Sequence, residues 1–175
     1  MLKYIKHQNS IGTSSIATTI EIKQTISIIK LFNEKIKELD LQINKAFSDI
    51  DTHITSIPGV GIITGASIIA EIGDISSFSC ADKIQAFAGI SPSTYQSGKL
   101  ECGGSRMEKR GSKFLRYSIL LAARGVVVWN AKFREYMDKK LNEGKHYFVA
   151  LSHVAKKLIR LIFALEKNGQ EYIAT

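Results

Sequence analysis

The sequence predicts a mostly α-helical protein: a long coiled-coil helix, then a compact helical domain with a helix-hairpin-helix-like turn and a long glycine-rich, basic loop. Three observations carry the fold class. Two prolines in 175 residues are few for a loop-rich β architecture. Apolar residues recur in steps of three and four from Ile22 to Ile54. Two later stretches, 114–127 and 148–165, carry broad apolar faces at helical spacing.

Composition bounds what this fold can be for. Apolar residues make up 45% and charged residues 23%, so the chain can bury a core and is not disordered by composition. Cys80 and Cys102 are too few for a disulfide framework or a four-cysteine zinc site. No apolar run reaches the roughly 18 residues of a membrane span, and the start lacks the apolar core of a signal peptide. The expectation is a soluble, cytoplasmic protein with no membrane partner. The net charge of +8 is lopsided: residues 1–82 carry 7 Lys and Arg against 9 Asp and Glu, residues 83–175 carry 17 against 7. A basic half of that size points to a polyanion, and a solvated lysine-rich surface is the plain alternative.

In chain order, the first 19 residues read as a weak helix start or a short helix and turn. The apolar stripe then runs through Ile22, Ile26, Ile29, Phe32, Ile36, Leu39, Ile43, Phe47, Ile50 and Ile54, with Lys30, Glu34, Lys35, Lys37, Glu38 and Asp40 between. Such a stripe needs a partner helix, so residues 1–54 are expected to be a coiled-coil or dimerisation segment and 55–175 a separate domain. Ile57-Pro58-Gly59-Val60-Gly61, leading into Ile62–Ile72, resembles a helix-hairpin-helix turn. Gly59 and Gly61 permit a tight turn, and the next helix offers its first N–H groups to a phosphate. The alternative is a glycine turn between packed helices. Glu71 and Asp74 read as a helix end and an N-cap rather than a metal pair.

Asp82 to Ala88 is a short helix. Residues 90–113 follow with almost no apolar period, four glycines and five Lys and Arg. A compact domain seldom keeps such a loop without a use for it. A short hairpin around 90–102 is the one strand signal. A helix opening at Phe114 runs toward Trp129, a second covers Ala131 to Leu141, and the last runs from His146 to Glu166, with Gly169 as its stop. Tyr95 and Trp129 are candidates for base stacking. His146 and His153 lie two helical turns apart without a third ligand, so no metal site is expected here.

Taken in order, the Pro58-Gly59 hairpin, Phe87-Ala88-Gly89, Pro92 with Gln96-Ser97-Gly98, Arg110-Gly111-Ser112-Lys113-Phe114-Leu115-Arg116, and Gly144-Lys145 resemble the C-terminal half of the IS-one-ten family of insertion-sequence transposases. The resemblance covers roughly residues 55–170. Ser112 stands where the family often carries Asn. It implies a DNA strand-transfer domain in which Ser97 is the nucleophile and forms a transient phosphoserine–DNA link, with Ser105 as the rival in the same loop. It also implies an N-terminal carboxylate nuclease domain, absent from this sequence and expected to hold Mg2+; no cofactor is expected in this chain, which alone should cleave little. The implied partners are DNA, a guide or bridge RNA where one is used, and further copies of the protein in a dimer or larger assembly.

The expected nucleic-acid contacts are Gly59, Gly61, Lys99, Arg106, Lys109, Arg110, Lys113, Arg116 and Arg124, whose cations would neutralise phosphates and the developing charge on phosphorus. A non-catalytic nucleic-acid-binding module and a purely structural helical oligomer are the competing readings.

Overall fold

The computed structural model describes residues 2–91 and 107–173, with side chains described from residue 15 onward. Among these residues there are six α-helices and no sheet: α1 Leu2–Ser48, α2 Ile62–Ile72, α3 Ala81–Phe87, α4 Lys113–Trp129, α5 Ala131–Asn142 and α6 Tyr147–Asn168. Short 3-10 turns at Ile54–Ser56 and Ile75–Ser77 join them. None of these helices is long and apolar enough to cross a membrane. The chain divides into two units, residues 1–45 and 46–175.

The first unit is made by helix α1 as far as Lys45. It begins earlier than its stripe predicts, because the first 19 residues continue the helix rather than turning; Gly12 within it costs only about 1 kcal/mol relative to Ala. The hydroxyls of Thr19, Thr25 and Ser27 donate to the carbonyls of Ser15, Glu21 and Lys23 four residues back, so they do not compete with the helix. Ile22, Ile26, Ile29, Phe32, Ile36 and Leu39 are all exposed on this single chain. α1 also ends earlier than expected, at Ser48. Ile50 lies outside the helix and is exposed, whereas Ile54 opens a 3-10 turn and is fully buried. The reason lies at the far end of the chain: the Glu166 carboxylate accepts from the Thr52 hydroxyl (2.8 Å) and the His53 N–H (3.0 Å), which fixes a non-helical path here.

In the second unit α4 is the central element, packed against α2, α5 and α6. Its buried face is Leu115, Ser118, Ile119, Ala122, Ala123 and Val126, a helical stripe with small residues where neighbours come near. Ile68 and Ile72 of α2, Ile84 of α3, Phe133 and Met137 of α5 and Leu151, Val154, Leu158, Ile159 and Ile162 of α6 complete one apolar core. Asn130 sits in that core as the cap between α4 and α5. Its side chain accepts from the N–H groups of Lys132 and Phe133 and donates to the Tyr172 hydroxyl, so its polar atoms are matched. Tyr172 in turn donates its N–H to Ser56, tying the C-terminal tail to the 3-10 turn.

The Ile57–Gly61 turn approaches the backbone of α4 closely. Gly59 takes φ +99°, and a Cβ on it would collide with the backbone of Gly125; one on Gly125 would collide with the Gly59 carbonyl. Two glycines therefore let the Ile57–Gly61 turn rest directly on α4.

Candidate nucleic-acid interface

Of the segment singled out in the sequence, residues 92–106 lie outside the described residues; the described chain stops at Ser91 and resumes at Met107. Its return path is fastened to its departure path. The N–H groups of Glu108, Lys109 and Ser112 donate to the carbonyls of Ser91 (3.0 Å), Gly89 (3.1 Å) and Phe87 (2.8 Å). The two strands of chain lie so close that a Cβ on Gly89 would meet the Arg110 carbonyl and one on Gly111 would meet that of Phe87. Both glycines have positive φ, 65° and 101°. Lys109, with φ 54°, takes the same left-handed conformation without being glycine. A strain of about 1 kcal/mol or more at that position persists only where neighbours enforce it. Here the enforcement comes from Gly89 on its N–H and from the Arg116 guanidinium, which donates to its carbonyl (3.2 Å) and to that of Ala88 (3.0 Å).

Ser112 closes the arrangement. Its hydroxyl oxygen caps α4 by accepting from the Leu115 N–H (3.0 Å), and the same hydroxyl donates to the Glu71 carboxylate of α2 (2.5 Å). An N-cap position explains why Ser or Asn suits the place. Ser112→Ala is expected to cost about 1–2 kcal/mol, from the lost cap and the lost bond to a carboxylate. Ser112→Asn keeps the cap and should cost markedly less. Urea unfolding of the two variants tests this, and equal stabilities would contradict it.

The structure brings together part of the predicted set. Lys109, Arg110 and Lys113 are exposed within five residues at the foot of the loop, with Arg116 half-buried behind them. The Lys113 ammonium lies 5.0 Å from the Phe114 ring centre. Arg124 is exposed on α4, eight residues and so about 12 Å beyond Arg116. Gly61 is exposed at the N-cap of α2, with open space where a Cβ would go. Gly59 faces Gly125 instead. Ser97, Lys99, Ser105, Arg106, Tyr95, Cys102 and the hairpin around 90–102 lie wholly or largely outside the described residues. Trp129 is 74% exposed at the end of α4, and the Glu71 and Asp74 side chains serve Ser112 and the Ser76 N–H respectively.

One feature of this face was missed from the sequence. Phe114, Tyr117 and Leu121 stand exposed on the side of α4 opposite its core stripe. With Ile63, Thr64, Ser67 and Ala70 of α2 they line an open cleft of about 580 Å3 whose acidic edge is Glu71. The spacing of 114, 117 and 121 against the buried 115, 119, 122 and 126 was the available signal.

Residues 51–138 match the family described as Transposase IS116/IS110/IS902. The chain belongs to that family. It is 28% identical over 155 residues to the insertion element IS110 uncharacterized 43.6 kDa protein of Streptomyces coelicolor, covering 87% of this chain and 38% of that protein. It is 36% identical over 125 residues to the transposase for insertion sequence element IS1111A of Coxiella burnetii, covering 68% and 33%. It is 25% identical over 166 residues to the pilin gene-inverting protein of Moraxella bovis, covering 89% and 51%. The chain thus spans about a third to a half of the length of these relatives.

Proposed function

We propose that this chain is the DNA-binding and strand-transfer part of an insertion-sequence transposase, with Ser97 as the nucleophile. The observation that carries the reading is the strap: Ser91 and Glu108, the two feet of the segment bearing Ser97, are hydrogen-bonded to each other on a rigid scaffold. A nucleophile must be delivered to phosphorus in a defined line, and anchoring a loop at both feet limits where it can reach. Lys109, Arg110 and Lys113, at and just after the return foot, supply positive charge for a DNA phosphate. A Ser Oγ–P bond forms as one P–O ester bond breaks, the departing DNA oxygen takes up a proton, and the Ser97 proton passes to a base. The ester is conserved in the link, so rejoining reverses the step without an external energy source.

Membership of a transposase family supports DNA as the partner, and one relative's name, pilin gene-inverting, supports rearrangement of DNA as the outcome. The exposed apolar stripe of α1 supports self-association through a coiled coil. Among the described residues no three His, Cys, Asp or Glu side chains converge as metal ligands. We place the Mg2+ implied by the family in a carboxylate domain outside this chain, so the 175 residues alone should bind DNA and cut little. A guide RNA belongs to the same reading, as a second polyanion for the same basic surface.

The test is binding to duplex DNA as salt is varied. Each phosphate contact contributes about 0.9 to the slope of log affinity against log salt. Lys109→Gln/Arg110→Gln/Lys113→Gln should lower that slope by about 2 to 3 and weaken binding at moderate salt. A slope unchanged from wild type would remove the loop foot from the DNA interface.

A further inference from the structure

A second group of basic side chains lies where α5 and α6 pack, on residues that no site expectation included. We propose that the α5–α6 face bearing Lys140, Lys145, His153, Lys156, Lys157 and Arg160 is a second binding surface for a nucleic-acid phosphate backbone. It rests on the reading of the chain as one that acts on nucleic acid, and extends it from one contact face to two.

The geometry is one of crowded cations. His153, Lys156, Lys157 and Arg160 fall at i, i+3, i+4 and i+7 of α6, a single stripe. The Lys157 ammonium lies 4.7 Å from the centre of the Tyr136 ring on α5, and Lys140 lies 5.5 Å from the same ring, so two ammonium groups share one aromatic side chain. Lys140 and Lys145 share one carboxylate, Glu143, at 2.8 and 3.4 Å. Arg160 meets Asp82 at 3.4 Å, between two well-exposed side chains, which makes a weak pair.

The titration behaviour agrees with the geometry. His153 is held below the ordinary imidazole range, first by burial and then by Lys156, Lys140 and Lys145, with Glu143 opposing from the α5–α6 turn. Lys156 is likewise lowered, by burial and then by Arg160. Lysines that serve only solubility spread apart to minimise repulsion. Here they are gathered on one helix–helix joint, and a phosphate backbone along the stripe would relieve that repulsion and release counterions.

The sign of a further consequence is fixed. Burial and the neighbouring cations favour the neutral form of His153 in the free chain. A phosphate beside it favours the imidazolium, so its pKa must rise on binding, and affinity must increase as pH falls through the interval between the bound and the free values.

The experiment uses the 175-residue chain with a short blunt DNA duplex and the equivalent RNA duplex. The His153 ring resonances are titrated by NMR with and without saturating duplex, His53 serving as an internal reference. In parallel, Lys145→Gln/Lys156→Gln/Arg160→Gln is compared with Lys109→Gln/Arg110→Gln/Lys113→Gln, which removes the same charge at the loop foot. The expected result is a raised His153 pKa in the complex, with affinity for at least one duplex about tenfold weaker in the α5–α6 variant at moderate salt and a slope lower by about 2. Which duplex moves His153 more identifies the polyanion this face takes. An unmoved His153 with wild-type affinity and slope in the α5–α6 variant would overturn this proposal while leaving the loop-foot reading intact. Failure of the wild-type chain to bind either duplex at low salt would overturn both. The NMR arm needs no variant, so misfolding of the triple substitution cannot hide the answer.

Discussion

Ser97→Ala is expected to reduce strand exchange by the full-length protein by about a thousandfold or more, while leaving its affinity for duplex DNA unchanged. Removing a nucleophile takes away the bond-forming atom itself, and surrounding charges cannot replace it. The cations proposed to hold DNA, in contrast, are Lys109, Arg110 and Lys113 at the loop foot and Arg124 on α4. Ser105→Ala is the internal control and should leave exchange largely intact. Equal losses from both substitutions would indicate a loop that needs its shape rather than a particular hydroxyl. Loss of binding together with exchange in Ser97→Ala would move Ser97 from chemistry to docking, and favour the reading of this chain as a non-catalytic nucleic-acid-binding module.

The second large effect concerns stability and runs against helix propensity. Gly125 lies inside α4, where Ala would ordinarily gain about 1 kcal/mol. Its missing Cβ is the space occupied by the Gly59 carbonyl. That oxygen belongs to a turn that also packs the buried Ile57 and Val60, so it cannot withdraw without lifting the hairpin from α4. Overpacking of this kind costs about 1–3 kcal/mol and more where backbone must move. We expect Gly125→Ala to be destabilising by about 2–3 kcal/mol, a fall in melting temperature of about 4–12 °C. Gly59→Ala should be worse, because its φ of +99° adds strain to the same collision. A Gly125→Ala chain as stable as wild type would mean that the two backbones part easily.

How much of this was legible in the sequence differs from element to element. Helices α3 to α6 were, because their apolar residues repeat on one face and their ends carry ordinary signals: Asn130 as a cap, Gly169 as a left-handed stop at φ 60°. The C-terminal end of α1 was not, because the stripe continues in step through Ile50 and Ile54. What ends the helix is Glu166, more than a hundred residues away. Gly59 was legible as a turn but not as half of a glycine pair, since its partner Gly125 looks in sequence like a neutral residue in a helix.

The candidate site divides in the same way. The basic run Lys109 to Arg116 stands out by composition, but sequence spacing cannot tell Arg116, which ties the strap to Ala88 and Lys109, from Lys113, which is exposed. The α5–α6 cations were hidden for a different reason. Lys140 and Lys145 are separated from Lys156, Lys157 and Arg160 by a turn and two helical turns of chain, and only the packing of α5 on α6 gathers them.

The most direct test of the central claim is to trap the reaction and read the bond. The full-length protein would be incubated with labelled element-end DNA and any accompanying RNA, denatured, digested, and its peptides weighed. The account predicts a DNA-derived phosphodiester on the peptide containing Ser97, absent in Ser97→Ala. Cut DNA with no protein adduct, or an adduct on Ser105, would contradict it.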